Sequence, residues 1–318
     1  MDRKACSNVG SISGLDSLAS LLSIRTEELL DIASNVDSLW KPGKRLQKKN
    51  GDLRLTSDVK PRLKNIHEKI KNRLLKKVTY PSYLCSGISD PRTPRDHVRH
   101  AAYHAGKHTM ICEDIRDFFP SISSERVLNI WQRFFHFHPK IARLLTVLTT
   151  YRETVPQGWK TSGYLANLVL WETEPQLVES LASRGMAYSR YMDDITVSAN
   201  RKLSKPEKQS VISEIYGMLG KNGFSPRRDK HQIYVQNKNM KVTNLNVNAD
   251  RPTLPKGERD NIRALVHGCE ISYRGVTGNN DYKRLWNRAS SRVGYMSRLH
   301  SEKARKLRAR LNAVKPAA

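Results

Sequence analysis

The 318-residue chain carries 56 Lys and Arg against 30 Asp and Glu, a formal net charge of +26, with 38% hydrophobic and 27% charged residues. This composition, with no run of 18 apolar residues, excludes both a disordered chain and a membrane-embedded one, and the length suits two or three structural modules. Four scattered cysteines without a CxxC pair exclude a disulfide scaffold and a cysteine zinc site, and the N-terminus lacks an apolar signal core, so a cytoplasmic protein without membrane partners is expected.

The charge is clustered. Residues 41–80 hold 14 Lys/Arg and 3 Asp/Glu, residues 251–318 hold 16 and 5, and residues 1–40 have a small acidic excess. Two basic lobes around a nearly balanced middle suit a polyanion lying between them, so nucleic acid is the expected partner. Along the chain, Leu15, Leu18, Leu22 and then Leu29, Ile32, Val36 recur near helical spacing and predict short amphipathic helices over 13–38. Lys48–Leu55 reads as a β-hairpin about Asn50-Gly51, a pair that supports a tight primed turn. A helix is predicted from Pro61 (Leu63, Ile66, Ile70, Leu74), a loop over 80–94, and a helix from His97 to His108.

Thr109–Cys112 is a short apolar strand ending at Glu113-Asp114. A helix follows Pro120, with Ser121, Ser123 or Ser124 to cap it, and another covers 160–183. Ala187–Ala199 folds on itself as a strand pair, 206–222 is helical, and 232–235 and 242–247 are strands. The last 60 residues read as basic helices with breaks at Gly268, Gly275 and Gly278. The expected class is α+β with helical ends.

Tyr191-Met192-Asp193-Asp194 is the most informative segment. β-favouring residues flank two adjacent acids, which places the acids at a hairpin turn, where their mutual repulsion calls for a cation. An isolated pair of this kind is ordinarily solvated. Asp114 changes the reading: a strand end carrying it beside the hairpin gathers three carboxylates, hard oxygen ligands that favour two Mg²⁺ ions for in-line phosphoryl transfer. Glu113 and Asp117 are alternatives to Asp114. His97, His100, His104 and His108 fall near one helical face, but no Cys or carboxylate completes a zinc set, so RNA contact or local packing is expected there. The Trp131–His138 run reads as core.

The ordered set Asp114…Phe119, Pro156-Gln157-Gly158-Trp159, Tyr191-Met192-Asp193-Asp194 and Lys230, at intervals of 43, 36 and 36 residues, resembles the palm of reverse transcriptases. The resemblance implies a right-hand polymerase fold: an N-terminal helical segment (1–40), fingers (41–110), a palm with an antiparallel sheet (110–248) and a basic helical thumb (249–318). It implies that Asp114, Asp193 and Asp194 bind the metals, and that Phe119 excludes a ribose 2′-hydroxyl and so selects dNTPs. Gln157 and Gly158 would pack against the incoming nucleotide, and Lys230 would donate a proton to pyrophosphate. Lys49 (or Lys48) and Arg54 would clamp the triphosphate. Arg288, Arg292 and Arg298 would contact duplex phosphates, with Tyr295 against the duplex or in the core.

His100-Ala101-Ala102-Tyr103-His104 and Val242-Thr243-Asn244-Leu245 resemble two elements of retron reverse transcriptases, with His100 where those have Asn, Asn244 where they have Gly, and Met192 where they usually have Ala. That likeness places His100 and His104 among the nucleic-acid contacts. It also implies a structured non-coding RNA as template and primer, priming from an internal guanosine 2′-hydroxyl, a branched single-stranded DNA product (msDNA), and a separate effector protein in anti-phage defence. The alternatives are a non-retron defence or group II intron-like reverse transcriptase, and a non-catalytic polymerase-like RNA-binding scaffold.

Overall fold

The computed structural model describes residues 4–47, 53–91, 94–236, 238–273 and 280–316. A two-residue strand β1 (Cys6–Ser7) leads into α1 (Leu15–Leu21), α2 (Thr26–Ser34) and α3 (Val36–Leu39), whose Leu18, Leu29, Ile32 and Val36 are buried at the spacing read from the sequence. β2 (Trp40–Gln47) and β3 (Leu53–Val59) form a hairpin longer than 48–55, with a register shift between Pro42 and Arg45. Proline has no N–H to give a ladder, which suits that irregularity. Pro61 opens α4 (Pro61–Arg73), where a missing N–H costs nothing. β4 (Val78–Thr79) pairs with β1, and α5 (His97–Tyr103) is capped by Asp96, which accepts from the N–H groups of Val98 and Arg99, both at 3.0 Å.

β5 (Thr109–Asp114) is followed by α6 (Ser124–Asn129), capped by Ser123, and by α7 (Pro139–Thr149), a helix the sequence reading lacks. Between them Trp131, Phe134, Phe135 and Phe137 are buried, the core role expected of that run. The helix expected over 160–183 is two, α8 (Ser162–Leu168) and α9 (Glu174–Ser183), because Pro175 cannot continue a helix but can start one. β6 (Met186–Tyr191), β7 (Asp194–Ala199), α10 (Lys205–Lys221) and β8 (Gln232–Val235) follow. The segment expected as one strand, 242–247, is part of a hairpin, β9 (Lys241–Val242) and β10 (Leu245–Asn246), closed by Thr243 and Asn244 at φ of 45° and 65°. Two positive φ values make a primed hairpin turn, with a β-branched residue in an uncommon conformation.

Three helices end the chain: α11 (Lys256–Ser272), α12 (Asn280–Ser297) and α13 (Ser301–Ala313). Gly268 lies within α11 rather than breaking it, since burial of Val266 and Cys269 outweighs the ~1 kcal/mol helix penalty of glycine. Gly275 and Gly278 lie outside the described residues.

The main sheet is antiparallel in the order β6-β7-β5-β8. Successive strand residues face opposite sides, and fully buried Met110 and Ile111 show what each face packs. Ile111 joins the large core with α6–α10 and the N-terminal helices. Met110 joins a second core with Ala101 of α5, Val242 and Leu245 of the β9–β10 hairpin, and the apolar stripes of α11–α13. Among the described residues no helix is long and apolar enough to cross a membrane.

Candidate active site

β6 and β7 join through a two-residue turn in which Tyr191 pairs with Asp194 and Met192 takes a φ of 59°. The neighbouring strand brings Asp114 into register opposite Asp194, and Ile115 N–H donates to the Asp193 carbonyl at 2.9 Å. Strand pairing therefore seats two of the three expected carboxylates face to face and stitches the third residue to the strand end. Burial, and then the charges of Asp193 and Asp114, push the Asp194 carboxyl up to about 7 against the opposing pull of Lys230.

Lys230 Nζ sits 2.6 Å from Asp114 Oδ2, held there by a short helical turn, Arg228–Lys230. Asp114 Oδ1 is buried without a partner. Glu113, one residue earlier and on the other face, accepts from Tyr216 Oη at 3.1 Å and lies 2.6 Å from His231 Nδ1, so it is engaged elsewhere. Asp117 is exposed, at a φ of 43°. Among the described residues no group of three or more His, Cys, Asp or Glu side chains closes into a metal cage. The donor set nonetheless suits a divalent ion: all hard oxygens, one of them orphaned, around a carboxyl that burial and then its neighbours' charges push up to about 7.

Arg190 anchors the turn from below, and the sequence reading missed it because a cation within a strand looks solvent-facing. It is fully buried, paired with Glu174 at 2.6 Å, and its Nη1 donates to the Met192 carbonyl at 3.1 Å. Glu174 also accepts from Tyr188 Oη at 2.7 Å. Above the turn, Met192 Cε occupies the space a Cβ on Gly87 would take, at 1.7 Å, and Gly87 itself has a φ of 74°. Only glycine fits there.

On the β2–β3 side, Ser57 N–H donates to the Gln157 carbonyl at 2.7 Å. Gly158, at a φ of 114°, lies so close that a Cβ would come 2.6 Å from the Ser57 carbonyl oxygen. Gln157 and Gly158 thus dock the hairpin onto the body, and buried Trp159 lies against His67 with ring centroids 4.7 Å apart and planes tilted by 36°. Phe119 is half-buried against Phe118. Lys49 and Lys48 lie outside the described residues, and Arg54 is placed by its backbone alone, opposite Leu46.

A cavity of about 860 Å³ opens between the Tyr191–Asp194 turn and α12, lined by His97, Tyr191, Asp194, Asn244, Arg292 and Tyr295. A second, of about 330 Å³, lies between the sheet and the β9–β10 turn, with Asp114, Asp194, Lys230 and Lys241 on its walls. Arg292 pairs with Glu258, Arg298 with Asp96 at 2.6 Å, and Tyr295 Oη lies 3.0 Å from His97 Nε2. Arg288 is exposed beside a cleft between α11 and α12.

The expectation that His100 and His104 contact nucleic acid is corrected. Both are buried, at 1% and 0% exposure, and burial pushes His100 down to about 3 and His104 well below the usual range, so both stay neutral. His104 bridges the hairpin strands, with Nδ1 2.7 Å from Ser198 Oγ and Nε2 2.6 Å from Ser189 Oγ. α5 ends at Tyr103, so the four histidines do not share one helix.

Residues 46–247 match the family model described as "Reverse transcriptase (RNA-dependent DNA polymerase)". The chain is 37% identical over 308 residues to the Retron Se72 reverse transcriptase of Salmonella heidelberg (strain 579083-10), covering 96% of this chain and 80% of that protein. It is 29% identical to the Retron Ec48 reverse transcriptase of Escherichia coli, over 96% of this chain and 77% of that one. The Retron Ec86 reverse transcriptase of Escherichia coli aligns at 27% over 189 residues, 59% of this chain and 57% of the relative. The chain belongs to the retron-type reverse transcriptases and has the right-hand polymerase fold of that family. It is an RNA-directed DNA polymerase, with RNA as template and DNA as product.

Proposed function

We propose that the protein makes msDNA, copying part of one structured non-coding RNA into DNA that stays joined to it, and that synthesis starts from an RNA 2′-hydroxyl. The observation that carries the catalytic half is the register of Asp114 against Asp194 with Lys230 at 2.6 Å from Asp114. Asp114, Asp193 and Asp194 would hold two Mg²⁺ ions, which supply Lewis acidity at the attacking hydroxyl and the leaving pyrophosphate. The chain's own groups do the rest. Lys230, 2.6 Å from Asp114, would give a proton to pyrophosphate. Phe119 would bar a ribose 2′-hydroxyl and so select dNTPs, Gln157 and Gly158 would pack against the incoming nucleotide, and Lys49 and Arg54 would grip its triphosphate. Arg288, Arg292 and Arg298 would follow duplex phosphates, with Tyr295 beside them.

In this reading 41–110 are fingers, 110–248 palm and 249–318 thumb, and a separate effector protein joins the enzyme and its RNA in anti-phage defence. Similarity to retron enzymes over 96% of the chain supports that assignment. The decisive experiment purifies the protein with its native operon and sequences the bound nucleic acid before and after RNase and debranching. DNA joined to a small RNA until debranched is the expected result; unbranched DNA would remove 2′-hydroxyl priming. Changing Asp193 and Asp194 to Asn should abolish synthesis while RNA binding persists, and unchanged synthesis would sink the metal assignment.

A further inference from the structure

His100 is an oddity. It is buried, and neither ring nitrogen has a hydrogen-bond partner. An imidazole left unpaired in this way costs free energy, so its hydrogen bonds are not what it contributes. Its contacts are made by its flat faces and edges. One face lies on Tyr191, with centroids 5.5 Å apart and planes at 21°, and the ring meets His104 edge-on at 5.7 Å and 90°. His104 is pinned to β6 and β7 through Ser189 and Ser198. His100 is therefore wedged between the fixed strands of the catalytic hairpin and the residue that opens its turn.

One helical turn earlier, His97 meets the C-terminal helices. Its ring lies 5.3 Å from Tyr295 of α12, with Nε2 3.0 Å from the hydroxyl, and its carbonyl accepts from Thr243 Oγ1 at 3.0 Å. Residues three apart on a helix share a face. The Asp96 cap adds the ion pair with Arg298. One short helix thus touches α12 at its start and the catalytic turn a turn later. The cavity of about 860 Å³ is bounded by the same groups, Tyr295 and His97 on one side, Tyr191 and Asp194 on the other.

We propose that His100 is a positioning residue for the catalytic turn, acting through Tyr191, and that α5 makes the geometry of that turn depend on how α12 is seated. This rests on the reading of Asp193 and Asp194 as catalytic acids. A nucleic-acid end filling the cavity meets α12 and the turn together, so α5 sets the acids only when α12 is in place.

The test uses the full chain with its co-purified RNA, in single-turnover extension with dNTPs, alongside hydrogen exchange at the amides of residues 191–194. His100→Ala should slow extension at saturating dNTP by about tenfold or more with dNTP affinity little changed, because a small misplacement of reacting groups is costly. It should also speed exchange in the turn. His100→Phe, which keeps a flat ring and loses no hydrogen bond, should restore both. His100→Leu replaces the alanine variant if that one does not fold. A rate within about threefold of the parent, unchanged exchange, or a phenylalanine variant as slow as alanine would each overturn the positioning role. For the coupling, Tyr295→Phe removes the hydroxyl that reaches His97, and its effect on rate should shrink by about threefold or more in the His100→Ala background. Effects that multiply independently would overturn the coupling. Loss of synthesis in Asp193→Asn checks the underlying reading separately, since the exchange measurement needs no turnover.

Discussion

Burial and two neighbouring carboxylates hold the Asp194 carboxyl up to about 7, far above an ordinary aspartate. The folded state then takes up a proton that the unfolded chain releases near pH 4. Stability of the metal-free protein must fall as pH rises through that interval, and Asp194→Asn removes the cause. The variant should be more stable than the parent at pH 8 without divalent ions, by up to ~4 kcal/mol, and the gain should shrink as pH falls from about 7 and be gone by roughly pH 4. Adding Mg²⁺ should stabilise the parent and leave the variant nearly unchanged. Equal melting at pH 8 would show that the acids do not repel. Arg190 makes the opposite case: removing a buried cation strands Glu174, so Arg190→Ala should cost about 3–5 kcal/mol in denaturant unfolding. A loss below about 1 kcal/mol, as for a surface pair, would contradict that burial.

At the scale of elements, the β2–β3 hairpin is held to the body where Gly158 passes the Ser57 carbonyl. Gly158→Ala meets that oxygen at 2.6 Å in a backbone conformation that L-residues avoid. It should destabilise the protein by about 1–3 kcal/mol and weaken dNTP binding; wild-type dNTP affinity would dissociate this contact from nucleotide binding. Local pattern made several elements legible: the Tyr191–Asp194 hairpin, the strand ending at Asp114, and the stripe of α4 all show in spacing alone. What escaped depends on partners distant in sequence. His100 and His104 resemble a surface pair until Ser189, Ser198 and Tyr191 enclose them. Arg190 needs Glu174 to enter the core, and the Thr243-Asn244 turn carries no glycine to announce its positive φ values.

Across the whole molecule, the +26 charge is concentrated in the β2–β3 and α4 region and in α11–α13, and α4 and α11–α13 pack in the cores on opposite faces of the main sheet. RNA affinity should therefore weaken steeply with salt, by about a thousandfold between 50 and 200 mM if six phosphates are neutralised. A nearly flat dependence in filter binding would mean that the lobes do not grip the backbone. The second core bears on engineering. α11–α13 bury their stripes against Ala101, Met110, Val242 and Leu245, residues that lie well before those helices in the chain. A chimera exchanging only the C-terminal helices for those of a relative would join surfaces that never evolved to meet. Functional recombinants should carry α5 and the β9–β10 hairpin along with the helices, so a swap at this end needs three crossover points rather than one.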